Sequence, residues 1–147
     1  MILSLDHIAI SVSEISEAIH RFSEDFGLLF DGQEDVPSQK TTTAFLVVGD
    51  THIELIQPMN GEGPVAESLK KRGPGLHHLC FRTDDIEADV RHLRTRGWLF
   101  TSAEPTTGAG GSKVIFIHPK STGGVLIELT QHPDRVQDDR NNQEPSP

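Results

Sequence analysis

The sequence contains little of several features, and each shortage excludes a class of protein. The single cysteine, Cys80, allows no intramolecular disulfide, and no apolar run approaches the roughly 20 residues of a membrane-spanning helix. Residues 1–6 lack the positively charged start of a secretory signal peptide. Basic residues are also few: the sequence has 13 Lys and Arg but 22 Asp and Glu. The resulting net charge of −9 argues against nucleic acid or an anionic membrane as partner. We therefore expect a cytoplasmic protein. An anionic small molecule held by a local basic patch remains compatible with this charge.

The sequence does contain an internal repeat. Residues 51–58 and 124–131 are near copies, and each is a strand-like apolar run with one carboxylate in it, Glu54 in the first and Glu128 in the second. A charge in a buried strand is costly unless another group compensates it. The two carboxylates therefore predict a compensating partner inside the fold.

The order of the predicted elements repeats as well. In the first half, helical spacing predicts a helix with Ser13 as its N-cap and Gly27 at its end, a polar loop at 31–40, and strands at 5–12, 28–30, 41–48 and 51–56. In the second half, we predict a helix capped by Asp84 and ended by Gly97, with strands at 76–83, 98–101, 113–118 and 125–130.

These elements divide the chain into two similar modules. Residues 1–58 and 75–131 each read as a βαβββ module, and residues 59–74 read as a linker that contains a short helix. Residues 132–147 are polar and hold several prolines, so we expect a disordered tail.

Superposing the two copies brings four polar residues into matching positions. His7 and His78 lie 71 residues apart, and Glu54 and Glu128 lie 74 residues apart. Strand alternation places the apolar neighbours of these residues on the helix-facing side, so all four polar side chains face the opposite, concave side. Two imidazoles and two carboxylates form a nitrogen and oxygen site suited to a divalent transition metal. The metal would also compensate the buried carboxylates.

With these features the chain resembles a known family, the vicinal oxygen chelate (glyoxalase/bleomycin resistance/dioxygenase) superfamily, over residues 5–131. Within it the chain is most similar to methylmalonyl-CoA epimerases, on Val-Val-Gly-Asp-Thr at 47–51, Gly-Leu-His-His-Leu at 75–79 and His-Pro-Lys-Ser-Thr-Gly-Gly-Val-Leu-Ile-Glu-Leu at 118–129. The resemblance implies an α+β fold: two tandem βαβββ modules form a curved mixed sheet around a metal site, with the helices on its outer face. It also implies one divalent ion per chain, Co, Zn, Ni or Mn, held by His7, Glu54, His78 and Glu128.

The resemblance further implies a metal-dependent isomerase that moves an α-proton by way of an enolate. The expected reaction is epimerisation of methylmalonyl-CoA or a similar acyl-CoA thioester, and a homodimer is usual in the family. Epimerases commonly carry Pro-Glu-Gln-Gly-Val where this chain reads Pro-Ser-Gln-Lys-Thr at 37–41, and no acid lies between Asp35 and Asp50. The expected catalytic residues are therefore Glu128 as the base and Glu54, by pseudo-symmetry, as the acid on the opposite face.

Several other residues are candidates for substrate contact. Thr43 stands where relatives carry an acid, and the polar loop of Lys120, Ser121 and Thr122 is suited to a carboxylate or phosphate of a thioester, although the glycines after it explain a β-turn equally well. By alternation, His77 should face the helices. Residues 108–112 should form a mobile loop over the site.

Two other functions remain open at the level of sequence. One is a glyoxalase I-like lactoylglutathione lyase, because Glu54 makes the ligand set resemble that enzyme in charge. The other, from a different class, is a non-catalytic small-molecule-binding protein of the bleomycin-resistance type. A fourth ligand counts against an extradiol dioxygenase, which needs two His and one carboxylate on iron.

Overall fold

An eight-stranded curled sheet organises the molecule in the computed structural model, which describes residues 1–134. The strands are β1 (Ile2–Ser11), β2 (Leu29–Val36), β3 (Thr41–Val48), β4 (Thr51–Pro58), β5 (Gly75–Thr83), β6 (Thr106–Thr107), β7 (Lys113–Ile117) and β8 (Ile127–Gln131). Their order across the sheet is β2-β3-β4-β1-β5-β8-β7-β6. The predicted α+β fold with a curved mixed sheet is confirmed.

The sheet is built from two halves with the same pairing. β1 pairs in parallel with β4, and β5 pairs in parallel with β8. An antiparallel pairing of β1 with β5 joins the two halves at the centre. The strands at which the predicted ligands lie are therefore the four central ones.

Three α-helices accompany the sheet: α1 (Ile15–His20), α2 (Pro64–Arg72) and α3 (Ile86–Thr95). The chain continues from α1 through one π-helical turn, Arg21–Asp25, to Gly27, whose φ of 90° ends the helix as predicted. α1 packs on β3 and β4, and α3 packs on β7 and β8, through two apolar clusters. These clusters cover the convex side of the sheet and leave the concave side for polar residues. No helix of residues 1–134 is long and apolar enough to cross a membrane.

The predicted N-caps of α1 and α3 are wrong. Glu14, not Ser13, is the cap of α1, and the amide of Ile15 donates to the Gln57 side chain (2.7 Å). Asp85, not Asp84, caps α3: it is the extended residue directly before the helix, and its side chain accepts from the Ala88 amide (2.9 Å). Asp84 contacts the N-terminal ammonium instead (2.5 Å).

Two predicted boundaries also differ. Residues 31–36 are not part of a loop: β2 continues to Val36 as the edge strand, and its polar side chains other than Glu34 are exposed. Residues 98–101 form no strand but only one bridge, Phe100 to Ile117, because Trp98 and Phe100 turn into the α3 cluster. Of the predicted tail, residues 132–134 follow β8 without regular structure, and residues 135–147 lie outside the described part.

Candidate metal centre

A cavity of about 550 Å³ occupies the concave side of the sheet. Strands of both modules line it, as do the first turn of α2 and the loop between β6 and β7. The four predicted ligands, His7, Glu54, His78 and Glu128, all lie on its wall and all are buried. Strand alternation therefore predicted the face of the sheet on which these side chains lie.

Three of the four converge on one point. His7 Nε2 lies 3.3 Å from His78 Nε2 and 3.3 Å from Glu128 Oε2, and His78 Nε2 lies 2.7 Å from Glu128 Oε2. Each of these atoms comes from a different strand: β1, β5 and β8. Two imidazole nitrogens and a carboxylate oxygen that face each other in a buried site form a group that could hold a metal ion.

The fourth predicted ligand takes a different place. Glu54 Oε2 lies 2.5 Å from Nδ1 of His7, on the side of the ring away from the other three donors. In β1 and β4, Ala9 pairs with Glu54 and His7 pairs with His52, so the carboxylate reaches His7 along the sheet. The structure thus brings Glu54 to His7 but not to the convergent three.

Both histidines of the cluster are oriented by a contact to the ring nitrogen that faces away from it, Nδ1. Nδ1 of His7 donates to Asp6 Oδ1 (2.8 Å), which leaves the lone pair of Nε2 free to bind a cation. Nδ1 of His78 lies 2.8 Å from Nδ1 of His77, so a proton on His78 Nδ1 likewise leaves its Nε2 free. Asp6 in turn contacts His132 (2.6 Å), the first residue after β8.

The charges in the cluster are coupled. Burial opposes ionisation of Glu128, but its contacts with His7 and His78 prevail and lower its pKa to about 2. Burial likewise opposes protonation of His7, whereas its hydrogen bonds to Asp6, Cys80, Glu128 and Glu54 raise its pKa. Glu128 is therefore a carboxylate at neutral pH, and it lies where positive charge is favoured.

A divalent metal fits this cluster. Nitrogen and oxygen ligands about 2.0–2.2 Å from an ion such as Zn²⁺ are themselves separated by roughly 3 Å, and the three separations here are 2.7–3.3 Å. The donor set also suits such an ion, since imidazole and carboxylate are its common ligands. His7, His78 and Glu128 are the residues that would hold it.

The remaining predicted residues have mixed positions. Thr43 is buried on the cavity wall. Lys120, Ser121 and Thr122 do not line the cavity among the described residues; they form a helical turn in which Ser121 accepts from the Leu99 amide and Thr122 donates to the Val125 carbonyl. Their contact with a substrate stays a prediction.

The prediction that His77 faces the helices is wrong. His77 lines the cavity beside His78. The cause is a β-bulge: Ala9 pairs with His78 but Ile10 pairs with Leu76, so His77 is the extra residue and strand alternation fails there. Burial, then the neighbouring His78 and Arg72, lowers the pKa of His77 to about 4, so that it is neutral at physiological pH.

Sequence reasoning missed two carboxylates of the cavity, Asp6 and Glu34. Glu34 lies in β2 opposite Thr43, and both its oxygens accept from the Gly110 amide (3.1 Å each). Ser38 also donates to the Thr107 carbonyl, so two contacts hold the segment 106–111 over the cavity. The period-two relation of Glu34 to Val36 would have revealed it, had the segment been recognised as a strand.

Comparisons with known proteins agree on one family. The family profile described as the glyoxalase/bleomycin resistance protein/dioxygenase superfamily matches residues 6–116. The ethylmalonyl-CoA/methylmalonyl-CoA epimerase of Cereibacter sphaeroides is 35% identical over 133 residues, which cover 89% of this chain and 99% of the relative.

Solved structures give the same result. The crystal structure of methylmalonyl-CoA epimerase from Mycobacterium tuberculosis has a TM-score of 0.87 and 33% identity, and the alignment covers 92% of this chain and 91% of that one. A variant of the Streptomyces coelicolor methylmalonyl-CoA epimerase in complex with 2-nitronate-propionyl-CoA has a TM-score of 0.85 and 28% identity, over 91% of this chain and 100% of that one. These relatives are enzymes, not binding proteins.

Proposed function

The chain belongs to the glyoxalase/bleomycin resistance protein/dioxygenase superfamily, and we propose that it is a metal-dependent epimerase of an acyl-CoA thioester such as methylmalonyl-CoA. The observation that carries the proposal is the convergence of His7, His78 and Glu128 on one buried point of the cavity. The bound ligand of the Streptomyces relative supports an acyl-CoA as the substrate class.

We propose one divalent ion per chain, Co, Zn, Ni or Mn, held by His7, His78 and Glu128. The predicted fourth ligand, Glu54, contacts Nδ1 of His7 instead, so we propose that it would join the ion only if its side chain turned toward the other three. When bound, such an ion supplies Lewis-acid stabilisation of the negative charge that develops on an enolate oxygen. Asp6 and His77 keep the two imidazoles in the tautomer that presents Nε2.

Glu128 is the proposed base. It is ionised at neutral pH, and its burial keeps water away from the α-proton of the substrate that it would abstract. Epimerisation also requires delivery of a proton to the opposite face, for which Glu54 is the proposed group. Ser38 stands where the family commonly has Glu, so the acid at that position is absent from this chain.

The substrate would lie between the cluster and the segment 106–111. Thr43 is a proposed contact on the cavity wall. Lys120, Ser121 and Thr122 remain proposed contacts for a carboxylate or phosphate that extends beyond the cavity.

A second candidate reaction is that of a lactoylglutathione lyase. The position of Glu54 beside His7 favours it, because two carboxylates give the site the charge of that enzyme. Both reactions begin with abstraction of a proton next to a carbonyl, so only the substrate distinguishes them.

The test is exchange of the α-proton of methylmalonyl-CoA in D₂O, followed by NMR, with the hemithioacetal of glutathione as the competing substrate. We expect exchange and racemisation with the thioester and loss of at least about 100-fold in Glu128→Gln. Glu87→Gln, a surface carboxylate paired with Lys113 (2.7 Å), is the matched control and should retain the activity. Turnover of the hemithioacetal alone would move the assignment to the lyase.

We also propose a homodimer, which is usual in the family. Light scattering should give twice the chain mass of 16.2 kDa. The cytoplasmic location stays a prediction.

A further inference from the structure

Lys40 is the one Lys or Arg side chain on the cavity wall within residues 1–134. The other formally charged groups there are carboxylates: Asp6, Glu34, Glu54 and Glu128. An anionic substrate that enters such a cavity meets repulsion unless a cation compensates it. The position of Lys40 is therefore important for any substrate that carries negative charge.

The backbone of Lys40 adopts a conformation that lysine disfavours. Its φ of 55° and ψ of 41° are left-handed, and Asn60 is the only other non-glycine residue with positive φ in the described part of the chain. Two hydrogen bonds hold the strained residue, from its amide to the Pro37 carbonyl (3.1 Å) and from the Met59 amide to its carbonyl (2.8 Å). Glycine would adopt this conformation without strain, so the presence of lysine points to a use for its side chain.

The fold also leaves room for this side chain. A Cβ on Gly63, just before α2, would lie 3.0 Å from Cβ and 3.3 Å from Cδ of Lys40, so the lysine stem lies across the glycine. The ammonium has one nearby carboxylate, Glu62 at 3.7 Å, and the two side chains are 57% and 69% exposed. Such a surface pair is weak and can be displaced by a substrate anion.

Thr41, the next residue, provides an independent observation. Its side chain is buried on the cavity wall, and its Oγ1 is the only buried side-chain N or O atom without a hydrogen-bond partner in residues 1–134. An unpaired buried hydroxyl is costly. A ligand oxygen in the cavity would satisfy it.

We propose that Lys40 and Thr41 form an anion subsite, in which the ammonium and the hydroxyl both donate to a carboxylate or phosphate oxygen of the substrate. This proposal rests on the proposed function and deepens it. An acyl-CoA thioester offers two sources of this chemistry, the carboxylate of a malonyl-type acyl group and the phosphates of the coenzyme.

The test is calorimetric binding of three thioesters to the Co²⁺-loaded full chain: malonyl-CoA, propionyl-CoA, which lacks the acyl carboxylate, and malonyl-pantetheine, which lacks the nucleotide phosphates. The variants are Lys40→Gly, Lys40→Gln and Thr41→Val, and the matched control is Lys71→Gln on the exposed end of α2. We expect each of the three variants to bind malonyl-CoA at least about tenfold more weakly and the control to bind as the wild type does.

Stability separates a binding role from a structural one. Lys40→Gly removes the left-handed strain and Thr41→Val removes the unpaired hydroxyl, so both should keep or raise the Tm while they lose affinity. If the variants lose affinity for the two malonyl thioesters alone, the subsite binds the acyl carboxylate. If they lose affinity for malonyl-CoA and propionyl-CoA but not for malonyl-pantetheine, the subsite binds the phosphates. Wild-type affinity for malonyl-CoA in Lys40→Gln and Thr41→Val overturns the subsite alone. Failure of the wild type to bind any of the three overturns the proposed function and the subsite with it.

Discussion

At the scale of single residues, the cluster of His7, His78 and Glu128 depends on neighbouring groups that orient its histidines. Asp6 accepts a hydrogen bond from Nδ1 of His7 and so fixes which nitrogen faces His78 and Glu128. Such an orienting carboxylate typically contributes 10- to 100-fold to metal affinity.

We therefore predict that Asp6→Asn lowers the affinity for Co²⁺ or Zn²⁺ by about 10- to 100-fold. Competition with a chromophoric chelator measures this affinity. Asp84→Asn is the control, because Asp84 binds the exposed N-terminus and lies outside the cavity. Equal affinity in Asp6→Asn and Asp84→Asn would contradict an orienting role for Asp6.

His77 predicts a pH dependence of the metal-free protein. Its pKa is lowered from 6.5 to about 4 in the folded state, so between these values the unfolded chain binds a proton that the folded chain does not. The contribution of His77 to stability is therefore present above pH 6.5 and is lost as the pH falls to about 4, by up to roughly 3 kcal/mol.

His7 has the opposite effect, because its raised pKa stabilises the folded state below pH 6.5. The comparison of wild type with His77→Asn isolates the contribution of His77. Urea unfolding at pH 7 and pH 4.5 should show a larger loss of stability in the wild type than in the variant. Parallel losses in the two proteins would show that His77 is not linked to folding.

At the scale of elements, each module depends on one helix covering the convex side of its half of the sheet. Ile86 of α3 is 0% exposed and lies in the cluster with Ile115 and Leu129. Ile86→Ala should lower the free energy of unfolding by about 2–5 kcal/mol, because it leaves a cavity in that cluster. Leu76→Ala, at a position that is 74% exposed, should change it by less than about 0.5 kcal/mol. Chemical denaturation measures both, and a similar cost for both would contradict this description of the core.

Where strand alternation holds, the sequence was sufficient to predict the element and its faces. It holds through β4 and β8, and the inward position of Glu54 and Glu128 followed from it. It fails at His77 because of the β-bulge, which depends on the pairing of two distant strands and leaves no local pattern. Edge strand β2 was missed for a related reason: most of its polar residues are exposed, and their sequence resembles that of a loop.

The helix N-termini also show what sequence could and could not predict. The repeated element order was readable, yet the amides of Ile15 and Ile86 are satisfied by Gln57 and Gln131, from the strands that also carry the carboxylates. In α1 this long-range contact replaces the local side-chain cap that sequence rules assume, whereas in α3 it adds to the local cap by Asp85.

At the scale of the whole molecule, the duplication produces a site that its symmetry alone does not determine. Each module supplies one His and one Glu, but Glu128 lies against both of these histidines, whereas Glu54 lies against His7. The resemblance to the superfamily is confirmed by the comparisons, and it predicted the ligand set but not this asymmetry.

The most direct test of the proposed metal-dependent epimerase is a titration of metal-depleted protein with Co²⁺ while the exchange of the α-proton of methylmalonyl-CoA is followed in D₂O. We predict that the exchange rate rises in proportion to added metal and reaches its plateau at one equivalent per chain. Full exchange before any metal is added would contradict the metal dependence, and no exchange at any ratio of metal to protein would contradict the epimerase.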